Sequence, residues 1–505
     1  MANQEDFMTL KELLCGISYV VIKGNDEIPI SDIVYDSRKT VENCAFVCIS
    51  GTITDGHRFL REAEQKGVSA IVMEHLPIQL TEIHLNHMTI VLTEDSKKAL
   101  ACMSANYFAH PDREMMVIGI TGTKGKTTTA HMIKAILEAD GRKTGMIGTM
   151  GSYIGSQKIP LLHTTPPSYE VYRLLRQMAE EGCKYVVMEV SSQGLKLSRV
   201  WGIQFAAGIF TNISTDHIGV GEHRNFEEYL YWKSRLFCQC EVGIINQDET
   251  FHEKMEEGHF IPFLHFGMES NADFYFDTIK QEKRNGFLGL SCNLKGRVSF
   301  SCEIGMPGRF NAYNALAAIA AAIYFGCSQS AICDALFNIR VKGRTELIPV
   351  NGDYHLMIDY AHNAVSLESL LKMLRSYEPG RIVCLFGCGG NRSRYRRYAM
   401  GKISGQYADF SILTEDNSRE EPLMEIIKDI IEGMHQTNGE YIVIPSREDA
   451  IYYSIKYALP GDMIVLAGKG HEDYMEQNGH RIHFSEHEIV QKILKRIANE
   501  PERNQ

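Results

Sequence analysis

The sequence predicts an α/β protein of three domains. A central, P-loop-type, mostly parallel sheet lies between a small N-terminal α/β domain and a C-terminal Rossmann-like, doubly wound domain. Three observations predict it. Apolar, β-branched runs of strand length alternate with helix-patterned segments from about residue 114 onward. A glycine-rich turn, Gly119-Ile-Thr-Gly-Thr-Lys-Gly-Lys-Thr-Thr-Thr129, separates one such strand from the helix after it. Acids, histidines and lysines gather at strand ends, where ligands commonly bind in open sheets of this kind. The expected boundaries are 1–113, 114–340 and 341–505.

Residues 1–113 mix short strands and helices. Ile33-Val-Tyr-Asp-Ser-Arg38 reads as a strand tip followed by polar residues. Ala45–Ile49 reads as a buried strand, ending in Gly51 and the loop Thr52–His57. A helix, Arg58–Lys66, and a strand, Ala70–Met73, follow, and His110-Pro-Asp112 marks the boundary.

In the second region the apolar segment Met115–Ile120 runs into the glycine turn, and the helix Thr127–Ala139 runs out of it. Backbone N–H groups of such a turn face phosphate oxygens, and the helix N-terminus adds about half a positive charge. Lys126 would reach the distal phosphates, and the Thr127 hydroxyl would hold Mg²⁺. The strict P-loop spacing is not met, because Ile120 stands where the first glycine is expected and Gly119 comes one place early. Strand Tyr185–Val190 ends in Glu189-Val-Ser-Ser192, and strand Ala206–Thr211 ends in Asn212-Ile-Ser-Thr-Asp-His217. Glu189 and His217 would serve as Mg²⁺ ligands beside Thr127; otherwise they are solvated strand-end polars. Helix Phe226–Phe237 carries Lys233, which by itself reads as a snorkelling surface lysine. Residues 260–305 read as antiparallel strands, and helix Asn311–Phe325 follows Gly308-Arg-Phe.

The third region alternates strands His355–Asp359, Arg381–Phe386, Asp409–Thr414, Tyr441–Ile444 and Met463–Ala467 with helices. Its polar strand ends are Asp359-Tyr-Ala-His362, Gly387–Arg397, Glu415–Arg419 and Gly468–Glu472. Arg392, Arg394, Arg396 and Arg397 form a basic cluster, suited to carboxylate or phosphate capture or else a solvated helix start.

The chain has 505 residues, 44% of them apolar, and a net charge of −11. That balance argues against non-specific nucleic-acid binding, which needs a basic face. The N-terminus lacks an apolar signal core, and the longest apolar run, Ala315–Phe325, is too short for a bilayer. A cytoplasmic protein without membrane insertion is expected, and a monomer. Thirteen cysteines without a CxxC pair read as reduced thiols and support no zinc site.

With these residues in view, the chain resembles the Mur ligase family over nearly its whole length. The resemblance rests on Thr121–Thr128, Glu189-Val-Ser-Ser192, Asn212…Asp216-His217, Gly308…Asn311…Asn314, Gly343-Arg344 and Asp359-Tyr-Ala-His362. Asp36-Ser-Arg38, Thr164-Thr-Pro166, Asp416-Asn-Ser-Arg419 and Gly468-Lys-Gly-His-Glu472 point to the branch that adds a diamino acid. The resemblance implies ATP-dependent amide ligation. The D-glutamyl carboxylate of a UDP-N-acetylmuramoyl dipeptide attacks ATP, and a diamino acid's amine displaces phosphate from the acyl phosphate.

It also implies roles. Gly122, Thr123, Lys124, Gly125, Lys126, Thr127 and Thr128 would hold ATP phosphates, Asn311 the adenine, and Arg344 and Asp359 the rest of ATP. Thr127, Glu189, His217 and a carbamylated Lys233 would bind Mg²⁺, with Lys126, Lys233 and His217 catalytic. Ser37, Thr52, Ile53 and Thr54 would take the UDP end of the substrate; Thr164, Thr165, Ser191 and Arg199 the muramoyl-peptide end. Arg392, Asp416, Asn417, Ser418, Arg419, Gly468 and Glu472 would form the amino-acid pocket. Arg419 suits a second carboxylate, which points to meso-diaminopimelate; L-lysine and L-ornithine are the alternatives. Ser418 stands in place of the family's proline and Gln193 in place of its histidine, and segment 216–223 is longer than the common form. Readings of another class are a nucleotide-gated switch and a non-catalytic muropeptide-binding protein; a folate-type polyglutamate ligase is a further relative.

Overall fold

A computed structural model describes residues 7–51, 54–76, 88–155, 157–215, 218–219, 222–284 and 286–499. The chain divides into two compact units, Met1–Tyr275 with Leu316–Ile332, and Phe276–Ala315 with Cys333–Gln505.

The first unit opens with a five-stranded sheet of β1 (Tyr19–Lys23), β2 (Ile33–Val34), β3 (Ala45–Val47), β4 (Ala70–Met73) and β5 (Thr89–Thr93), in the order β1-β5-β4-β3-β2. Only β1 runs antiparallel, against β5. Strands β3 and β4 are buried on both faces, as a parallel sheet covered by helices requires. Helix α1 (Ser96–Tyr107) starts where the Asp95 carboxylate accepts from the Lys97 and Lys98 amides, and lays Leu100 and Met103 onto this core.

The larger sheet follows. Strand β6 (Met116–Thr121) leads into α2 (Lys126–Ala139), then come β7 (Thr144–Gly148), β8 (Gly151–Ile154) and β9 (Gln157–Ile159). Helix α3 (Ser168–Glu180), β10 (Tyr185–Glu189), α4 (Ser192–Lys196), β11 (Ala207–Phe210), α5 (Phe226–Ser234), β12 (Gly243–Asn246) and β13 (Phe263–Gly267) complete it. The strand order is β9-β8-β7-β10-β6-β11-β12-β13, parallel from β7 to β13. Ile118, Ile120, Val187, Ile209 and Ile244 are fully buried. The early glycine of the turn has a packing role: a Cβ on Gly119 would lie 2.9 Å from the Phe205 ring.

Two expectations need correction. Strand β13 extends the parallel ladder instead of joining an antiparallel set; alternation of apolar Leu264 and Phe266 marks a strand but carries no direction. The helix expected to reach Phe237 is α-helical only to Ser234 and tightens into a 3₁₀ turn over Arg235–Gln239.

In the second unit β14 (Phe274–Arg284, entered from the first), β15 (Phe287–Gly296) and β16 (Phe300–Ile304) precede α6 (Arg309–Tyr324), whose residues from Leu316 on belong to the first unit; β15 and β16 are antiparallel as expected. A six-stranded sheet follows. It is built from β17 (Glu346–Ile348), β18 (His355–Asp359), α7 (Ala364–Arg375), β19 (Arg381–Phe386), α8 (Arg394–Tyr407), β20 (Phe410–Leu413), α9 (Leu423–Met434), β21 (Glu440–Val443), α10 (Arg447–Lys456) and β22 (Asp462–Ala467). Its order is β17-β18-β22-β19-β20-β21, parallel except for the edge strand β17. A hairpin, β23 (Tyr474–Gln477) and β24 (His480–His483), and helix α11 (Glu486–Asn499) close the unit.

The cysteines are free thiols. Among the described residues no helix is long and apolar enough to cross a membrane.

The basic cluster resolves into two kinds of arginine. Arg394 and Arg397 bond the Asp429 carboxylate at 2.5 and 3.0 Å, and Arg397 also pairs with Glu421 at 2.7 Å. Asp429 and Arg397 are buried, so removing either charge strands its partner. The Arg394 hydrogen bonds hold the Asp429 carboxyl below its ordinary range, with Arg397 adding to the effect. A depressed carboxyl stabilises the fold above its unfolded pKa, and that contribution is lost as pH falls through the folded value. Asp429→Asn is expected to cost about 3 kcal/mol at neutral pH. Urea unfolding of both proteins across pH should show the gap closing below about pH 4.

Candidate functional site

The glycine turn builds a compact cationic loop at the carboxyl end of β6. Gly122 and Gly125 adopt φ of +151° and +85°, and a Cβ on Gly122 would sit 2.0 Å from Thr211 Oγ1. The loop is tied to the end of β11: the Thr123 amide donates to the Asn212 carbonyl at 2.9 Å, and the Lys124 amide to Asn212 Oδ1 at 2.8 Å. Lys126 Nζ donates to the Gly122 and Thr123 carbonyls, 2.8 and 3.1 Å. Lys233 Nζ donates to the same Gly122 carbonyl at 2.7 Å and lies 4.4 Å from the Tyr229 ring. Lys233 is 1% exposed, so the surface-lysine reading is overturned. Its side chain turns inward because α5 packs Tyr229 and Lys233 against the loop, a face that the sequence period left ambiguous.

Glu189, 1% exposed, ends β10 beside this loop. Its Oε2 accepts from Thr127 Oγ1 and Thr149 Oγ1, both at 3.0 Å, and its Oε1 from the Thr149 amide at 2.9 Å. The result is a cluster of hard oxygen donors, the chemistry that suits Mg²⁺ and not a softer metal. Thr128 is buried behind it in the first turn of α2. His217 lies outside the described residues.

The muramoyl-end candidates adjoin this cluster. Thr164 Oγ1 lies 3.0 Å from Thr149 Oγ1, and Thr165 Oγ1 donates to the Glu189 carbonyl at 2.9 Å. Ser191 accepts from Gly194 N at the start of α4, and Arg199 Nη1 donates to the Thr165 carbonyl at 2.7 Å. Ser37, buried in a short 3₁₀ turn, has its carbonyl held by Lys66 at 2.6 Å. Tyr35, two residues earlier, feels the Arg199 charge; burial, with Glu170 and Asp36 adding, pushes its hydroxyl up to about 12. Tyr169 on α3 donates to Asp32 Oδ1 at 2.7 Å, tying the five-stranded sheet to the larger one. Thr54 bonds back to Gly51, whereas Thr52 and Ile53 lie outside the described residues.

In the second unit Asn311, Arg344 and Asp359 form one cluster. Asn311 Nδ2 donates to the Pro307 carbonyl at 2.8 Å and to Thr345 Oγ1 at 3.2 Å. The Asp359 carboxylate accepts from the Thr345 and Ala361 amides at 2.7 and 2.8 Å. Burial pushes the Asp359 carboxyl up, against those amides and the nearby Arg344. The Arg344 guanidinium lies 4.8 Å from the Tyr360 ring, and its buried Nε has no hydrogen-bond partner among the described residues.

The same unit holds a cavity of ≈ 250 Å³ at the carboxyl edge of its sheet. Arg392, Arg396 and Arg419 line it together with Asp416, Asn417, Gly468 and Glu472. Ser418 lies in the loop behind, 9% exposed, its carbonyl against Gly390. Buried Lys469 donates to Glu472 Oε2 at 2.8 Å and to Asn417 Oδ1 at 3.0 Å, and Asn417 Nδ2 donates to Glu472 Oε2 at 3.0 Å. Arg447, fully buried and paired with Glu486 at 2.8 Å, supports the strand ends from behind the lining. It donates to the Glu415 and Ala467 carbonyls at 3.1 and 2.8 Å, and so joins the strand ends that present Asp416 and Gly468. Three guanidiniums and two carboxylates around one cavity fit a zwitterion with more than one acid group.

Sequence reading missed Thr149, Tyr360, Lys469 and Tyr474. Thr149 directly follows β7, next in the sheet to β10, so the strand-end rule could have found it. The hairpin carrying Tyr474 was signalled by Asn478-Gly479, whose φ values are +49° and +75°, as a tight hairpin turn needs.

The Mur ligase middle domain matches residues 120–322, and the Mur ligase glutamate ligase domain matches residues 343–470. A Clostridium perfringens protein named UDP-N-acetylmuramoyl-L-alanyl-D-glutamate–2,6-diaminopimelate ligase is 41% identical over 495 residues, 96% of this chain and 99% of that one. A Clostridium botulinum protein of the same name is 40% identical, covering 97% and 100%. A solved structure bearing that name superposes with a TM-score of 0.70 at 26% identity, over 98% of this chain and 100% of that one.

The cavity wall depends on a close backbone approach. A Cβ on Gly390 would lie 1.9 Å from the Ser418 carbonyl oxygen. Gly390→Ala is expected to destabilise the fold by about 1–3 kcal/mol, and hydrogen exchange should show the amides of 416–419 losing protection.

Proposed function

Because the chain belongs to the Mur ligase family, we propose that it is an ATP-dependent amide ligase of peptidoglycan precursor synthesis. It joins meso-2,6-diaminopimelate to UDP-N-acetylmuramoyl-L-alanyl-D-glutamate. The observation that carries the reading is the combination of a Lys–Thr glycine loop, an oxygen-donor cluster on Glu189, and a cavity lined by three arginines and two acids. The D-glutamyl carboxylate attacks the γ-phosphorus of ATP and ADP leaves. The amine nitrogen then attacks the acyl carbon, phosphate leaves, and the nitrogen gives up a proton.

Two anions must meet in the first step, so positive charge has to be pre-placed. Lys126, the amides of the turn and the N-terminus of α2 supply it, and Thr123, Lys124 and Thr128 shape the turn. Thr127 and Glu189, with Thr149, would hold Mg²⁺, which neutralises phosphate charge when bound; His217 is proposed as a further ligand. Lys233 as an ammonium cannot ligate a cation. Carbamylation would replace the ammonium charge with a carboxylate bearing two oxygen acceptors, and the burial of Lys233 beside the loop supports that proposal. Asn311, Arg344 and Asp359 are proposed to hold the nucleoside part of ATP. Ser37, Thr52, Ile53 and Thr54 would take the UDP end, and Thr164, Thr165, Ser191 and Arg199 the muramoyl end. A division into three modules at 113/114 and 340/341, a monomeric state and a cytoplasmic location belong to the same reading.

In the cavity, arginines bind carboxylates while Asp416 and Glu472 bind ammonium groups. L-Lysine and L-ornithine carry one acid group fewer, so an arginine would stay unpaired. An assay with ATP and the UDP-dipeptide, offered the three amino acids in parallel, should show diaminopimelate preferred by at least about tenfold in kcat/KM. Equal use of L-lysine would reject the diaminopimelate assignment. Lys233→Ala should lower kcat by about a hundredfold or more, with partial rescue by a short carboxylate. A ¹³C-carbamate signal in the wild type after ¹³CO₂ labelling, absent from the variant, provides the second readout.

A further inference from the structure

Arg419 occupies an unusual backbone position for a bulky residue. Its φ is +54°, the left-handed region, which costs a non-glycine residue about 1 kcal/mol or more. Ser418 before it leaves φ free to rotate, where a proline would fix it. Neither residue, therefore, holds the arginine in the cavity by local preference.

The hairpin β23–β24 holds it instead. The Arg419 amide donates to the Glu476 carbonyl at 2.9 Å, and the Asn478 amide donates to the Arg419 carbonyl at 2.5 Å. Residue 419 thus bridges to Gln477 like a residue of a parallel strand. The Glu476 carboxylate then accepts from Arg419 Nε at 3.2 Å, while Nη1 donates to the Gly390 carbonyl at 2.5 Å. Nη2 makes no hydrogen bond among the described residues, and Arg419 lines the cavity. A carboxylate anchors one edge of the guanidinium and its remaining donors stay available for an incoming acid group. The Glu476 amide is itself fixed by Asn417 Oδ1 at 2.9 Å, so the anchor is keyed to the neighbouring cavity wall.

We infer that Glu476 is a positioning residue that aims Arg419 at the second carboxylate of the amino-acid substrate, and so sets selectivity for diamino diacids over lysine. The inference rests on the ligase reading given above. Without the Glu476 carboxylate the guanidinium keeps its charge and its bond to the Gly390 carbonyl but loses the second bond that together with it fixes the guanidinium plane. The cost should therefore fall on binding of the diacid and not on phosphate chemistry.

The test is steady-state kinetics of wild type, Glu476→Ala and Glu476→Gln, varying each of the three substrates, with melting curves alongside. Glu476→Ala should raise KM for meso-diaminopimelate about tenfold, the loss expected for a charge-assisted hydrogen bond. Its kcat and its KM for ATP and for the UDP-dipeptide should stay within about twofold. Its preference for diaminopimelate over L-lysine should shrink by a similar factor. Glu476→Gln keeps an acceptor for Nε and should recover most of the loss. An unchanged KM for diaminopimelate would overturn the inference, as would a fall in kcat that tracks a lowered melting temperature with selectivity intact. Wild-type protein that turns over no diamino acid at all would overturn the ligase reading itself, a result distinct from either.

Discussion

A buried carboxylate organises the first unit. Glu189 is withdrawn from water at a strand end, and an ionised group there is tolerated only when its oxygens are filled. Thr127 comes from the first turn of α2, Thr149 from the end of β7, and Thr165 reaches the Glu189 backbone. The contacts at this one residue therefore fix the mutual position of two strand ends, the loop before α3 and the helix that follows the glycine turn. The same hydroxyls that satisfy the acid are the oxygen donors a hard cation needs. Folding thus orders the same groups that the proposed Mg²⁺ site would use.

The second unit treats its arginines by burial. Arg397 and Arg447 are enclosed and spend their donors on Asp429, Glu421, Glu486 and strand-end carbonyls. Arg392, Arg396 and Arg419 face the cavity. Charge of one sign thus has two settings: enclosed pairs hold the surrounding structure, and the remaining guanidiniums line the cavity. Lys469 has an intermediate part, since its ammonium is buried yet holds the Glu472 and Asn417 side chains that border the cavity.

Strand direction, helix faces and loop partners divide what could be read in advance from what could not. Strands β6, β10, β18, β19 and β22 were legible because β-branched runs alternate with helical periods. The turn at 122–125 was legible because glycine permits its backbone angles, and the Lys–Thr pair announced its chemistry. The hairpin at 474–483 was signalled by Asn-Gly but stood among polar residues that gave no strand period. The direction of β13 was not legible, because alternation is the same for parallel and antiparallel neighbours.

The sequence by itself determined the α/β class, the glycine loop and its lysine, and most of the charged residues that line the second unit's cavity. Those features depend on local backbone preference and on short motifs whose spacing survives translation into one strand end. Only the tertiary structure decided that Lys233 turns inward, that Thr149 completes the Glu189 cluster, and which arginines of 392–397 are enclosed. It also decided that Arg419 is held by a hairpin 57 residues further along the chain. Such facts depend on which groups from distant segments share a desolvated space, and chain order does not encode that sharing in any local pattern.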